Sequence, residues 1–235
     1  MPLDDLHREV ASVALGAAGE HGFVLGGGNA LIAHGLITRQ TQDVDLFTNR
    51  EHGVTAASAA VEDVLTAAGY SSERQDKAGG LADIFGEEVN EGLAEWIVTA
   101  PDGRQLALQM AYFDRAREPV VMEFGPVLDL EDALGGKVAA LASRAYERDF
   151  SDVGAALGRY SKDELISFAR RVDPGLRDLE FAEAGQRLDR MSDRRFTEAG
   201  LTPEDVAVMR ERFADWPREV PEAGTGAASG DREAE

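Results

Sequence analysis

The sequence predicts an α+β fold, with an N-terminal mixed sheet flanked by helices and a C-terminal helical part. Three observations carry this. Apolar runs of strand length fall within the first 126 residues. From Asp129 onward, capped segments of helical period follow one another. Strand and helix signals do not alternate as they would in a doubly wound parallel fold. The chain therefore divides into a sheet-containing core at 1–126, a helical part at 127–216, and a tail at 217–235 rich in glycine, alanine, serine and acids, which is expected to be disordered. The cleft between the first two parts is the natural seat for a ligand.

Taken in order, Leu3 to Gly19 reads as an amphipathic helix with Leu6, Val10, Val13, Ala14 and Ala17 on one stripe. A strand from Phe23 breaks at Gly26-Gly27-Gly28, restarts as a short helical run, and gives way to a second strand ending at Phe47. Thr48 to Glu51 is a turn, and Val54 to Ala68 a second helix facing inward through Ala57, Val61, Val64, Leu65 and Ala68. Ser71 to Gly80 is polar and reads as a loop. Leu93 to Thr99 and Arg104 to Phe113 flank Pro101-Asp102-Gly103, a good hairpin turn. In the second of these strands Leu106, Leu108, Met110 and Tyr112 share one face, and Ala107, Gln109 and Ala111 the other. Val120 to Phe124 is a further short strand, closed by Gly125-Pro126.

Asp129 can cap a helix whose first turn carries Glu131 and Asp132, suited to the helix dipole. That helix should run to about Tyr146, and a second from Arg148 to near Gly158. Ser161 and Glu164 form a capping box for a third, broken by Asp173-Pro174-Gly175. Leu176 to Met191 is a fourth, and Thr202-Pro203 starts a fifth that ends before Pro217.

Of the 235 residues 43% are hydrophobic, enough to bury a core. Cysteine is absent, which excludes a disulfide framework and a thiolate zinc site. His7, His21, His34 and His52 show no metal-ligand spacing, and no run approaches a membrane span. A cytoplasmic protein without membrane association is expected. The net charge of −20 argues against general DNA binding by electrostatic attraction. It leaves room for a local basic patch that docks one RNA end.

The residues that carry chemistry lie mainly between Phe23 and Phe47. Alternate residues of a strand share a face, so Asp43 and Asp45 project together while Val44 and Leu46 enter the core. Two adjacent carboxylates repel, and a divalent cation is the usual remedy. The glycines upstream let a backbone approach a phosphate. A dinucleotide-binding reading is poorer, because Gly26-Gly27-Gly28-Asn29-Ala30-Leu31 lacks the third glycine and no acid follows at the usual distance. A second cluster lies at 132–152. Lys137 and Arg144 are seven apart, on one helix face, with Leu134, Val138 and Leu141 on the apolar side. Arg148 and Asp149 read as a structural ion pair.

The run Gly27-Gly28-Asn29-Ala30-Leu31, followed by Arg39-Gln40-Thr41-Gln42-Asp43-Val44-Asp45, resembles the nucleotidyltransferase superfamily that includes DNA polymerase β. More narrowly it is similar to the AbiEii/AbiGii-type nucleotidyltransferase toxins of bacterial toxin–antitoxin systems, whose helix lysine and Arg-Asp-x-x-Asp segment match Lys137 and Arg148-Asp149-Phe150-Ser151-Asp152. The turn residue that is often Ser or Thr in that family is Asn29 here.

The resemblance implies a nucleotidyltransferase-like core and a metal-dependent enzyme that moves a nucleotide from an NTP to an acceptor, a tRNA 3′ end or a protein hydroxyl. Asp43 and Asp45 would hold Mg²⁺ or Mn²⁺. Gly27, Gly28 and Asn29 would cradle the phosphates, with Arg39 and Thr41 nearby. Lys137, with Arg144, would neutralise the leaving pyrophosphate, and Asp152 would match the late functional aspartate. A cognate antitoxin would restrain the enzyme.

One departure stands out. Enzymes of the superfamily often carry a third metal-binding carboxylate on a later strand, and the matching position is Gln109. Either the metal site is weakened, or Asp114 or Glu123 substitutes, or the chain is a degenerate nucleotide-binding protein without turnover. A transferase acting on a cationic small molecule of aminoglycoside type is the further alternative.

Overall fold

The computed structural model describes residues 4–75 and 92–220. Among these, seven strands form one mixed sheet, accompanied by nine α-helices. Helix α1 (Asp5–Ala18) is opened by Asp4, whose carboxylate accepts the Leu6 amide at 3.0 Å, and it buries Leu6, Val10, Ala14 and Ala18. Strand β1 (Val24–Leu25) leads through Gly26 into α2 (Gly27–Ala33). Next come β2 (Asp43–Thr48), α3 (Gly53–Ala67), β3 (Ser71–Arg74), β4 (Leu93–Thr99), β5 (Gln105–Tyr112), β6 (Val120–Met122) and β7 (Gly125–Val127). The strand order is β3-β4-β5-β2-β1-β7-β6. The β2–β5 and β1–β7 pairs are parallel, the others antiparallel.

The register sorts the side chains. Val44 pairs with Leu108 and Leu46 with Met110, and Leu108 pairs in turn with Trp96. All five are fully buried, on the face covered by α1 and α3. The intervening residues Asp43, Asp45 and Phe47, with Ala107, Gln109 and Ala111, occupy the other face and are only partly buried. Pleating alone puts both acids there.

Two strand expectations need correction. Ser71–Arg74 is not loop but the edge strand, paired with β4 from Ser71↔Thr99 to Arg74↔Trp96. Its polar side chains mask it in the sequence, and an edge strand tolerates them because it faces water. The remainder of that loop expectation, 76–80, lies outside the described residues. Gly125-Pro126 does not close a strand. It lies within β7, which folds back on β6 and continues the sheet through Leu25↔Val127, one residue past the expected boundary at 126.

The helical part comprises α4 (Leu130–Ser143), α5 (Glu147–Ala156), α6 (Lys162–Val172), α7 (Asp178–Arg190), α8 (Asp193–Glu198) and α9 (Pro203–Arg212). Asp129 caps α4 through the Glu131 amide at 2.9 Å, and Ser161 and Thr202 form capping boxes for α6 and α9. Helix α4 stops at Ser143 rather than Tyr146, because Ala145 turns left-handed at φ 49°. Helix α8, with six residues, is too short to register as a period.

Helix α4 packs on α5, α6 and α7. The rings of Phe150, Phe196, Phe213 and Trp216 tie α5 to the α8 and α9 segments. Arg218 makes a two-pronged ion pair with Asp189 at 3.0 Å, so the packed body extends past the expected tail boundary at 217. Residues 221–235 of that tail lie outside the described residues. No helix among the described residues is long and apolar enough to cross a membrane.

Candidate active site

The glycine turn is shaped by what packs on it. Gly27 has φ 57°, and a Cβ there would sit 1.7 Å from Asp45 Oδ2. A Cβ on Gly28 would sit 2.6 Å from Thr41 Cγ2. The Asp45 carboxylate therefore lies directly against the turn backbone, an approach that only glycine permits.

Asn29 does not reach toward a phosphate. Its side chain is fully buried, with Nδ2 donating to the Asp43 carbonyl at 2.7 Å and Oδ1 accepting from the Thr41 hydroxyl at 2.7 Å. The expected cradle thus loses the Asn29 side chain. What Asn29 does is fasten the start of β2 and Thr41 to the turn. His34 anchors the far end of α2 by a 2.8 Å hydrogen bond to the Leu128 carbonyl.

Asp43 and Asp45 open into a cavity of about 1480 Å³ lined also by Gly27, Gly28, Arg39, Thr41, Gln109, Lys137, Arg144 and Arg148. Neither acid has an ion-pair partner among the described residues. Burial, and then repulsion from Asp43, push the Asp45 carboxyl up to about 6, against the pull of Lys137, Arg148 and Arg144.

The second cluster is built around Asp152, which is fully buried. Arg39, from the loop before β2, grips it with Nε and Nη2, both at 2.7 Å. Lys137 Nζ, from α4, lies 3.0 Å from Oδ2. Burial works to raise the Asp152 carboxyl, but Lys137 and Arg39 outweigh it and hold it below its ordinary value. Asp152 is thereby the joint that fixes a loop of the sheet part to two helices. Arg39 spends its remaining Nη1 bond on the Gln40 carbonyl. Lys137 keeps ammonium protons for another acceptor in the cavity.

The ion pair expected between Arg148 and Asp149 is not formed. Neighbouring residues on a helix point apart, and Arg144, which ends α4 just before the turn into α5, reaches Asp149 instead. Asp149 is gripped by Arg144 at 3.0 and 3.1 Å and accepts the Tyr146 amide, which closes the start of α5. Arg144 also lies 5.4 Å from the Tyr146 ring. Arg148 is left exposed on the cavity wall, without an ion-pair partner among the described residues. The expected pairing with Asp149 hides Arg148 as a cavity residue in the sequence, and the divergence of adjacent side chains on a helix is the signal that frees it.

Gln109 stands opposite Asp45 in the β2–β5 register and lines the cavity. Asp114 and Glu123 do not line it. No group of three or more acidic or histidine side chains able to hold a metal exists among the described residues. The far wall comes from α9 through Glu204, Val208 and Arg212, and no sequence motif announces it.

The model of the nucleotidyl transferase AbiEii toxin, of type IV toxin–antitoxin systems, matches residues 14–222. The chain belongs to the AbiEii nucleotidyltransferase toxin family. Its fold is similar to that of JHP933 from Helicobacter pylori, with a TM-score of 0.56 and 14% identity over 89% of this chain and 91% of that one. A second H. pylori structure matches with a TM-score of 0.54 and 14% identity over 89% and 94%. MenT4, a nucleotidyltransferase toxin from Mycobacterium tuberculosis H37Rv, has a TM-score of 0.48 and 16% identity over 89% and 82%. No curated protein matches. Gly27, Gly28, Asp43, Asp45, Lys137 and Asp152 all fall within the matched span; all but Asp152 line the cavity, and Asp152 pairs with Lys137 beside it.

Proposed function

We propose that this AbiEii-family chain transfers a nucleotide from an NTP to a hydroxyl acceptor, with a divalent cation at Asp43 and Asp45. The observation that carries the reading is the uncompensated acid pair pressed against the glycine turn, with Lys137 and Arg148 on the same cavity. The donor set fits a hard cation, since two carboxylates supply oxygens and charge, and triphosphate and water complete the shell. When bound, Mg²⁺ or Mn²⁺ would screen the triphosphate and make the α-phosphorus more electrophilic.

The remaining work falls to the chain. The Gly27-Gly28 backbone lets the phosphates come close. Lys137, pre-aimed by Asp152, and Arg148 stabilise charge as pyrophosphate departs. Arg39 holds Asp152 and through it Lys137. Family membership suggests a tRNA 3′ end or a protein hydroxyl as acceptor, a cytoplasmic site of action, and a cognate antitoxin as partner.

The test is labelling of total RNA and of total protein with each radiolabelled NTP and Mg²⁺, comparing wild type with Asp43→Ala. Label transfer by wild type alone is the expected result, and no transfer by either folded protein overturns the reading. Gln109 beside Asp45 favours one second reading, nucleotide binding without turnover. Calorimetric binding of an NTP together with silent labelling would select it.

A further inference from the structure

We infer that the pocket fixes one divalent cation per bound nucleotide rather than two, and that Gln109 sets this count. The inference rests on the nucleotide reading above and concerns the metal stoichiometry of that site.

A pair of carboxylates on one strand can hold one hard cation between them. A second cation beside it needs its own anionic ligand on the flank. The flank here is β5, whose residue in register with Asp45 is Gln109, one strand spacing away at about 4.8 Å and on the same face. An amide oxygen offers lone pairs but no charge. The next acid in that row is Glu95, paired with Gln109 from β4, roughly 10 Å from Asp45 by the same spacing and not on the cavity lining. On the same flank Asp43 pairs with Ala107, which offers nothing, and on the opposite flank the Gly26 amide donates to the Asp45 carbonyl at 2.8 Å, so no acid stands there either.

The rest of the wall works against a second ion as well. Lys137, Arg144 and Arg148 all line the cavity, Lys137 paired with Asp152, Arg144 with Asp149, and Arg148 without an ion-pair partner among the described residues. Mg²⁺ gives up water reluctantly and is selective for charged oxygen. A neutral amide does not hold a second such ion on a wall that already carries the unpaired Arg148 guanidinium.

The test counts ions directly. Mn²⁺ is titrated into wild type saturated with an α,β-imido NTP analogue, the four bases tried singly, and bound ions are read by electron paramagnetic resonance and calorimetry. Wild type should bind one Mn²⁺ per complex with an isolated-ion spectrum. Gln109→Glu, or Gln109→Asp if the first variant fails to fold, should bind two, with spin–spin broadening. The second ion should be held at least about tenfold more tightly than any second ion in wild type, as added ligand charge predicts. Gln109→Ala should stay at one. Two tight ions in wild type, or one in the folded acidic variants, overturns the inference while leaving the nucleotide reading intact. Absence of any Mn²⁺-dependent analogue binding by wild type overturns both.

Discussion

Removing the Asp152 carboxylate should cost more stability than any other single change at this site. Asp152 is fully buried and accepts Arg39 twice at 2.7 Å and Lys137 at 3.0 Å. Hydrogen bonds to charged groups contribute about 1.5–3 kcal/mol each, so the gross interaction is several kcal/mol, of which carboxylate desolvation offsets a large part. Deleting one partner of such a buried pair costs about 3–5 kcal/mol, because the cations left behind lose their counter-charge. The side chains of Lys137 and Arg39 keep 13% and 27% exposure, so some relief comes from water. Asp152→Ala should therefore lose about 3 kcal/mol, at the low end of that range.

Urea unfolding at pH 7, followed by circular dichroism, measures this. The triple variant Arg39→Met, Lys137→Met, Asp152→Leu should recover most of the loss, since all three charges go together. The pH dependence has a defined sign. The folded carboxyl is held below its ordinary value, so its stabilisation is complete above the unfolded aspartate value, about 3.9, and fades as pH falls through the folded one. The gap between wild type and Asp152→Ala should stay constant from about pH 5 to 8 and close only in stronger acid. A loss under about 1 kcal/mol, or a triple variant no more stable than the single one, would refute the reasoning.

Three further outcomes follow from the same geometry. Gly27→Ala should lower stability by about 1–3 kcal/mol in urea and weaken nucleotide binding in calorimetry, because its Cβ would collide with Asp45 Oδ2 at a left-handed φ. Asp45→Asn should be more stable than metal-free wild type at pH 8, by up to about 3 kcal/mol. The carboxyl raised to about 6 is penalised once ionised, so this difference should vanish by about pH 4, and a gap that widens in acid would count against the assignment. Arg148→Ala should leave the urea midpoint within about 0.5 kcal/mol of wild type while lowering nucleotide affinity or turnover at least about tenfold, and unchanged labelling kinetics would remove Arg148 from the phosphate site.

Much of this was legible in the chain because it is local. The strand–glycine–helix–strand run, the shared face of Asp43 and Asp45, the hairpin at Pro101-Asp102-Gly103, and the caps at Asp129, Ser161 and Thr202 depend on residues a few positions apart. Two-residue alternation also separated Leu106, Leu108 and Met110 from Gln109 before any fold was known. The edge strand Ser71–Arg74 and the six-residue helix α8 escaped, the first because its side chains are polar, the second because it is shorter than two turns.

By itself, then, the sequence determined the fold class and the acid pair with its glycine turn, since pleat, turn and helix periods are properties of neighbouring residues. Tertiary structure alone decided the partners. It put Arg39 and Lys137 on Asp152 across 113 and 15 positions, gave Asp149 to Arg144 and left Arg148 on the cavity wall, turned Asn29 inward onto Thr41 and Asp43, and set Gln109 beside Asp45. Those choices depend on where one element comes to rest against another, and a buried charge takes whichever counter-charge the packing delivers.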